Sequence, residues 1–170
     1  RSSEIFHNLK AILQKKKLST AVGDEGGFAP DLKSEDEALK LICEAVAKSG
    51  YRLEKDFSLA IDVAASEFYN NGKYLVSSMN KRLSPKEFSN FLKKLCNKYP
   101  IVSLEDPFDE NDWDSWIALT RSIGDKIQIV GDDLFTTNVS RLSEGINRRA
   151  ANSILIKLNQ IGTLTETLET

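Results

Sequence analysis

Histidine, cysteine, proline and long apolar runs are all scarce in this chain. One histidine, two cysteines and four prolines occur in 170 residues. No apolar stretch approaches the roughly 18 residues that a membrane-spanning helix needs, so no span is expected. His7 is the only imidazole and lies in a helical pattern, where a surface or packing role is expected; the chemistry must rest on other side chains. Cys43 and Cys96 have no metal-ligand spacing around them. Each sits beside apolar residues in a helical pattern, so both are expected to be buried free thiols, which fits a reducing compartment. An excess of charge of either sign is missing too: the formal net charge is -2. Nothing global therefore argues for nucleic acid or an anionic membrane as partner. The one basic run, Lys15-Lys16-Lys17, reads as a helix end that complements the helix dipole.

What is present is an ordinary globular balance, 41% apolar and 28% charged, long enough for one domain with a real core. Ile5, Leu9, Ile12 and Leu13 recur at helical spacing and predict a helix over about 3–17. Ala21 to Pro30, with three glycines and a proline, predicts a loop that carries Asp24 and Glu25. Ser34 with Glu37 three residues on forms a capping box, opening a helix to about 48 that Gly50 stops. Leu59–Val63 reads as a buried strand; its apolar residues do not alternate with polar ones, as expected where helices cover both sheet faces. Asn71-Gly72 between Tyr69 and Tyr74 is a hairpin turn. Ser84-Pro85-Lys86-Glu87 opens a helix by cap, proline and reciprocal glutamate together. Strands follow at 101–105, 127–130 and 153–158, separated by helices at about 112–122 and 138–148. Thr163 and Glu166 have capping-box spacing and open a last helix.

From Asp62 onward the order is strand, helix, strand, helix. Four strand ends carry charge: Asp62, Glu105, Asp132 and Lys157. Parallel strands joined by crossover helices present their C-terminal ends on one face, so the spacing alone places these four on one rim. Two α/β architectures fit, an open doubly wound sheet or a run of about four βα units from a barrel. Neighbouring strands about 4.8 Å apart let successive tips converge on one ion, and that convergence favours the partial (β/α) barrel.

Asp62, Glu105 and Asp132 are three hard oxygen donors of the kind that suits Mg²⁺, and they repel one another without a cation. The plain alternative is that each caps a helix or faces solvent. Lys157, in apolar surroundings near such a cluster, is expected to have a lowered pKa and to act as a base; the alternative is a structural partner for one of the carboxylates. Asp106 and Asp133, the second member of each acidic pair, organise the shell or cap the next helix. Glu25, on a loop whose glycines allow close approach, is a candidate proton donor to a leaving group, and Asp24 a partner for the loop backbone. Together these parts suit abstraction of a proton alpha to a carboxylate, with the charge of the ene-diolate held by metal and a beta hydroxyl helped away by an acid.

Five segments carry a likeness: Val22-Gly23-Asp24-Glu25-Gly26-Gly27-Phe28-Ala29-Pro30, Ile61-Asp62-Val63-Ala64-Ala65-Ser66-Glu67-Phe68, Leu104-Glu105-Asp106-Pro107-Phe108, Val130-Gly131-Asp132-Asp133-Leu134 and Ile156-Lys157-Leu158-Asn159-Gln160-Ile161-Gly162. In this order the chain resembles the enolase family. The resemblance implies Mg²⁺ held by Asp62, Glu105 and Asp132, Lys157 as the base at C2 of 2-phosphoglycerate, and Glu25 as the acid at the C3 hydroxyl. The product would be phosphoenolpyruvate. It also implies a glycolytic, cytoplasmic homodimer or octamer. Residues 1–170 then correspond to a fragment of the C-terminal catalytic barrel domain, with the N-terminal domain and the end of the barrel absent. Such a piece alone is expected to expose sheet edges and to show little or no activity. Other readings are a different Mg²⁺-dependent dehydratase of the superfamily, a Mg²⁺ phosphoryl-transfer domain, a response-regulator-like receiver, or a non-catalytic binding or structural domain.

Overall fold

The computed structural model describes residues 1–170 and divides into two compact units, Arg1–Ser58 and Leu59–Thr170. In the first, α1 (Ser2–Lys15) and α2 (Glu35–Lys48) bury Ile12, Leu13, Leu41 and Ala45 against each other, with Leu9, Phe28 and Leu32 packed on that cluster. Ser34 accepts the Glu37 N–H, but the Glu37 carboxylate takes the Lys33 N–H rather than that of Ser34. The box is therefore half formed. Gly50 follows α2 at φ 79°, the left-handed geometry that ends helices. His7 is exposed on α1, as expected. Cys43 and Cys96 are free but half-buried rather than buried. Burial still pushes the Cys96 thiol up to about 11, so it is not a reactive thiolate.

In the second unit, β1 (Leu59–Asp62), β5 (Ile101–Glu105), β6 (Gln128–Gly131) and β7 (Ser153–Ile154) form one parallel sheet. A separate antiparallel sheet is made by β2 (Tyr69–Asn70), β3 (Lys73–Val76) and β4 (Lys81–Leu83), inserted between β1 and α3 (Pro85–Lys98). Leaving that insertion aside, the parallel strands stand in chain order. A doubly wound sheet would shuffle them at a switch point, so the arrangement is the α/β partial barrel.

Helices α4 (Trp113–Ile123) and α5 (Val139–Arg148) connect the later strands; α6 (Leu158–Ile161) and α7 (Leu164–Glu169) follow β7. The full capping box at Ser84, with Pro85 at the first helical position, forms as the sequence predicts. Asn71 and Gly72 both take positive φ, 50° and 75°, the twist that a two-residue hairpin needs. Tyr74 from that hairpin is fully buried against Phe88 and Phe108. Its hydroxyl accepts the Asp109 N–H at 3.0 Å and donates to Asp112 at 2.7 Å, which ties the insertion to the segment after β5.

Two expectations about strands are corrected. The first strand is not covered on both faces: Leu59 is buried but Ala60 and Asp62 are exposed. It is an edge strand, paired only with β5, and Ala60 and Asp62 are its exposed residues. The last strand stops at Ile154 rather than running to 158. Leu155 still donates to the Gly131 carbonyl, but there β6 ends and its chain turns away. Beyond it the Lys157 N–H goes to the Thr137 hydroxyl rather than to a strand partner, and α6 starts.

The turn after β6 is fixed by close packing. Phe135 is buried, and its ring lies where a Cβ on Gly131 or Gly145 would stand, 2.5 Å and 2.2 Å away. Gly145→Ala should gain up to about 1 kcal/mol of helix propensity, but the ring cannot swing out of the core, and overpacking costs about 1–3 kcal/mol. The clash should win. Denaturant unfolding should show a net loss of about 1–2 kcal/mol; a variant as stable as the parent would show that Phe135 does not lock this turn.

Candidate active site

The register of the sheet builds the site. Asp62 pairs with Glu105, and Glu105 with Val130. Parallel partners project to the same face, and residues two apart along a strand return to it. Asp62 and Glu105 therefore share one face at the C-terminal ends of adjacent strands, and Asp132, one residue past the end of β6, stands close enough for its charge to act on Glu105. Asp62 bends back to accept the Ala64 N–H at 3.0 Å. Glu105 is half-buried. Burial pushes its carboxyl up to about 7, and the charges of Asp62, Asp132 and Asp106 add to the effect.

Carboxylate oxygens meet in two overlapping groups, Asp62 with Glu105 and Asp106, and Asp106 with Asp132 and Asp133, all within 4.8 Å of one another in each. Asp62, Glu105 and Asp132 do not form one such group among themselves. Asp106 joins the two. It is 3% exposed and takes φ 39°, a left-handed conformation that aspartate tolerates better than most residues. Its two oxygens accept backbone N–H groups, from Asp132 at 3.1 Å and Asp133 at 2.9 Å, with Leu134 at the limit of 3.5 Å. Asp106 thus holds the Asp132 turn in place. Burial nevertheless pushes its carboxyl up to about 6 against those hydrogen bonds.

Asp132 is 7% exposed. One of its oxygens accepts from the Lys157 Nζ and the other from the Gln160 Nε2 at 3.0 Å. Lys157 stands in extended backbone, φ -129° and ψ 115°, just ahead of α6. The expected fall in its pKa is corrected: the hydrogen bond to Asp132 raises it, and the modest burial of the amine opposes this too weakly. Glu25 lies in the first unit, exposed in a turn that the Val22–Phe28 bridge closes. There Gly23 donates to Gly27 at 2.8 Å and Gly26 to Gly23 at 2.9 Å. Gly26 takes φ 81°, a requirement that accounts for one glycine of the motif.

Several carboxylates crowded on one strand-end rim, one of them held near neutral pKa by burial and by the others, fit a divalent cation with oxygen preference. Protonation is the other relief open to Glu105 and Asp106. Without a cation, the folded chain holds protons on Glu105 and Asp106 that the unfolded chain releases at ordinary values of 4.5 and 3.8. Their stabilising contribution is complete below those values and is lost as pH rises to about 7. Glu4 and Glu87 shift the opposite way, but at the open surface, where such effects are small. Thermal unfolding with chelator present should therefore show Tm falling between about pH 4 and pH 7, and a divalent cation should remove that slope. A rising Tm in chelator would mean that the rim acids do not crowd one another.

The family model described as "Enolase, C-terminal TIM barrel domain" matches residues 1–170. The chain belongs to this enolase family. Membership and the partial barrel agree on the fold, and they place the chain among enzymes of the enolase superfamily, whose chemistry is of the lyase type. The acidic rim of this enolase-type barrel is a cluster that could hold a metal ion.

Two residues near the rim, Gln160 and Thr137, had no role in the sequence reading, and a third, Asp106, was expected only to organise the shell or cap the next helix. Asp106 was visible as the partner of Glu105, but its hydrogen bonds to a turn 26 to 28 residues away were not. Gln160 stood within a motif without a role. Thr137 gave no signal at all. No helix is long and apolar enough to cross a membrane.

Proposed function

We propose that this chain carries part of the active site of a phosphopyruvate hydratase, dehydrating 2-phosphoglycerate to phosphoenolpyruvate. The observation that carries the reading is the pairing of Lys157 with Asp132 on the rim that also presents Glu105 and Asp62. Lys157 takes the C2 proton. Glu25 gives a proton to the departing C3 hydroxyl, a role that rests on its Gly-Asp-Glu-Gly-Gly motif. Asp62, Glu105 and Asp132 would hold Mg²⁺, which would supply positive charge against the growing negative charge of the substrate carboxylate. Asp132 holds the Lys157 amine in place on that rim.

The reading extends to a cytoplasmic, glycolytic enzyme working as a homodimer or octamer, with further substrate-binding groups outside these residues. Phosphoenolpyruvate formation, followed by its ultraviolet absorbance, tests it in the full-length protein that carries this chain. Turnover of another 2-hydroxy or sugar acid with none of 2-phosphoglycerate would overturn it in favour of a different superfamily dehydratase.

A further inference from the structure

We infer that Thr137 is a positioning residue that sets the Lys157 amine against Asp132, working through both the Lys157 backbone and Gln160. The inference rests on the reading of Lys157 as the base. Three independent features of Thr137 converge. It is completely buried. It and Thr136 both take φ 50°, a left-handed backbone that β-branched residues rarely adopt and that persists only where the surroundings over-determine it. Its hydroxyl is used twice, accepting the Lys157 N–H at 2.9 Å and donating to the Gln160 Oε1 at 2.8 Å.

These bonds have a fixed direction. A backbone N–H can only donate, so the Thr137 oxygen accepts from Lys157. The hydroxyl proton is then directed at the Gln160 carbonyl oxygen. That turns the Gln160 amide nitrogen toward Asp132, which accepts from it at 3.0 Å. The second Asp132 oxygen accepts from the Lys157 Nζ. A ring of four hydrogen bonds thus links the base, its carboxylate partner and two neutral side chains. Lys157 enters the ring twice, by backbone and by amine, so both ends of its side chain are referred to one buried hydroxyl. The left-handed turn at Thr136 and Thr137 is what brings that hydroxyl under the Lys157 backbone, 20 residues along the chain.

The test uses Thr137→Val, which keeps the shape and β-branching but removes the hydroxyl, Thr137→Ser, which keeps the hydroxyl, and Gln160→Met at a half-exposed position. In the full-length enzyme, Thr137→Val should lower kcat at least tenfold, toward the ~100-fold that a misplacement of about 1 Å costs. KM should change little. The primary isotope effect with C2-deuterated 2-phosphoglycerate should rise, because proton transfer becomes slower relative to the other steps. Thr137→Ser should keep kcat within about threefold. Hydrogen–deuterium exchange at the Lys157 amide, measured without metal or substrate, should quicken in the valine variant and not in the serine variant.

A valine variant with parental kcat, isotope effect and amide protection overturns the inference, as does a serine variant as impaired as valine. If the valine variant does not fold, Gln160→Met decides: an unchanged isotope effect overturns the inference and a raised one supports it. A parent enzyme inactive on 2-phosphoglycerate defeats the functional reading instead, and amide exchange alone then decides the role of Thr137.

Discussion

Replacing Lys157 by methionine is expected to lower kcat for 2-phosphoglycerate by about 10²–10⁴-fold, the usual contribution of a general base. Exchange of the C2 proton with solvent should fall in parallel. The rival reading makes Lys157 only the ion-pair partner of Asp132, the contact it makes in this structure. The two readings separate on proton exchange and not on metal binding. Removing a cation that competes for Asp132 should leave Mg²⁺ affinity equal or higher, whichever reading holds. Only the base reading adds the collapse of proton exchange. Lys157 is 39% exposed and its partner oxygen belongs to a carboxylate that is 10% exposed, so the pair is screened on one side and its loss should cost little stability. A methionine variant that is destabilised but still exchanges the C2 proton at near-parental rate would end the assignment of Lys157 as base.

Replacing Asp106 by alanine is expected to cost stability and metal affinity together. Two backbone donors, the buried N–H of Asp132 and the half-buried N–H of Asp133, lose their acceptor. Each such loss costs about 1–3 kcal/mol, and water entering the space vacated should recover part of it, leaving about 2–4 kcal/mol. An opposing effect exists: one negative charge leaves the crowded rim, which relieves Glu105. The hydrogen-bond loss should win, because Asp106 contributes the least of the three charges that raise Glu105. Asp132 would then be free to move with its turn, and Mg²⁺ affinity should fall by about 10–100-fold, as when the groups that orient metal ligands are removed. Asp106→Asn, which keeps one carbonyl oxygen, should be the milder variant in stability. Denaturant unfolding and calorimetric Mg²⁺ titration measure the two quantities. Affinity and stability both at parental levels would show that the turn is held by Phe135 and the helices alone.

The difference between Lys157 as expected and as found has a physical origin. Sequence placed it after Ile154, Leu155 and Ile156, and apolar neighbours argue for an amine losing its proton. The fold ends β7 two residues in, so the lysine emerges from an unpaired segment, part exposed, with a carboxylate against it. Ile156 itself is 47% exposed. Local composition described a buried environment that exists only where a strand is paired and covered. The same reasoning explains β1, whose apolar run read as a strand covered on both faces but which forms an uncovered edge.

Sequence by itself determined the order and kind of the elements, the partial barrel, and the placing of Asp62, Glu105 and Asp132 on one rim. Those follow from periodicity, caps, turns and the rule that parallel strands end on one side, all of which are local or depend only on connectivity. Only the tertiary structure decided which groups hold that rim in shape. Asp106 reaching the Asp132 turn, Thr137 reaching the Lys157 backbone and the Phe135 ring filling the space beside Gly131 and Gly145 are contacts between residues that chain order separates. They depend on register to within one residue and on left-handed turns at Asp106 and Thr137. A hydrophobic pattern carries no record of either, because the residues that make these turns are aspartate and threonine rather than the glycine that would have announced them.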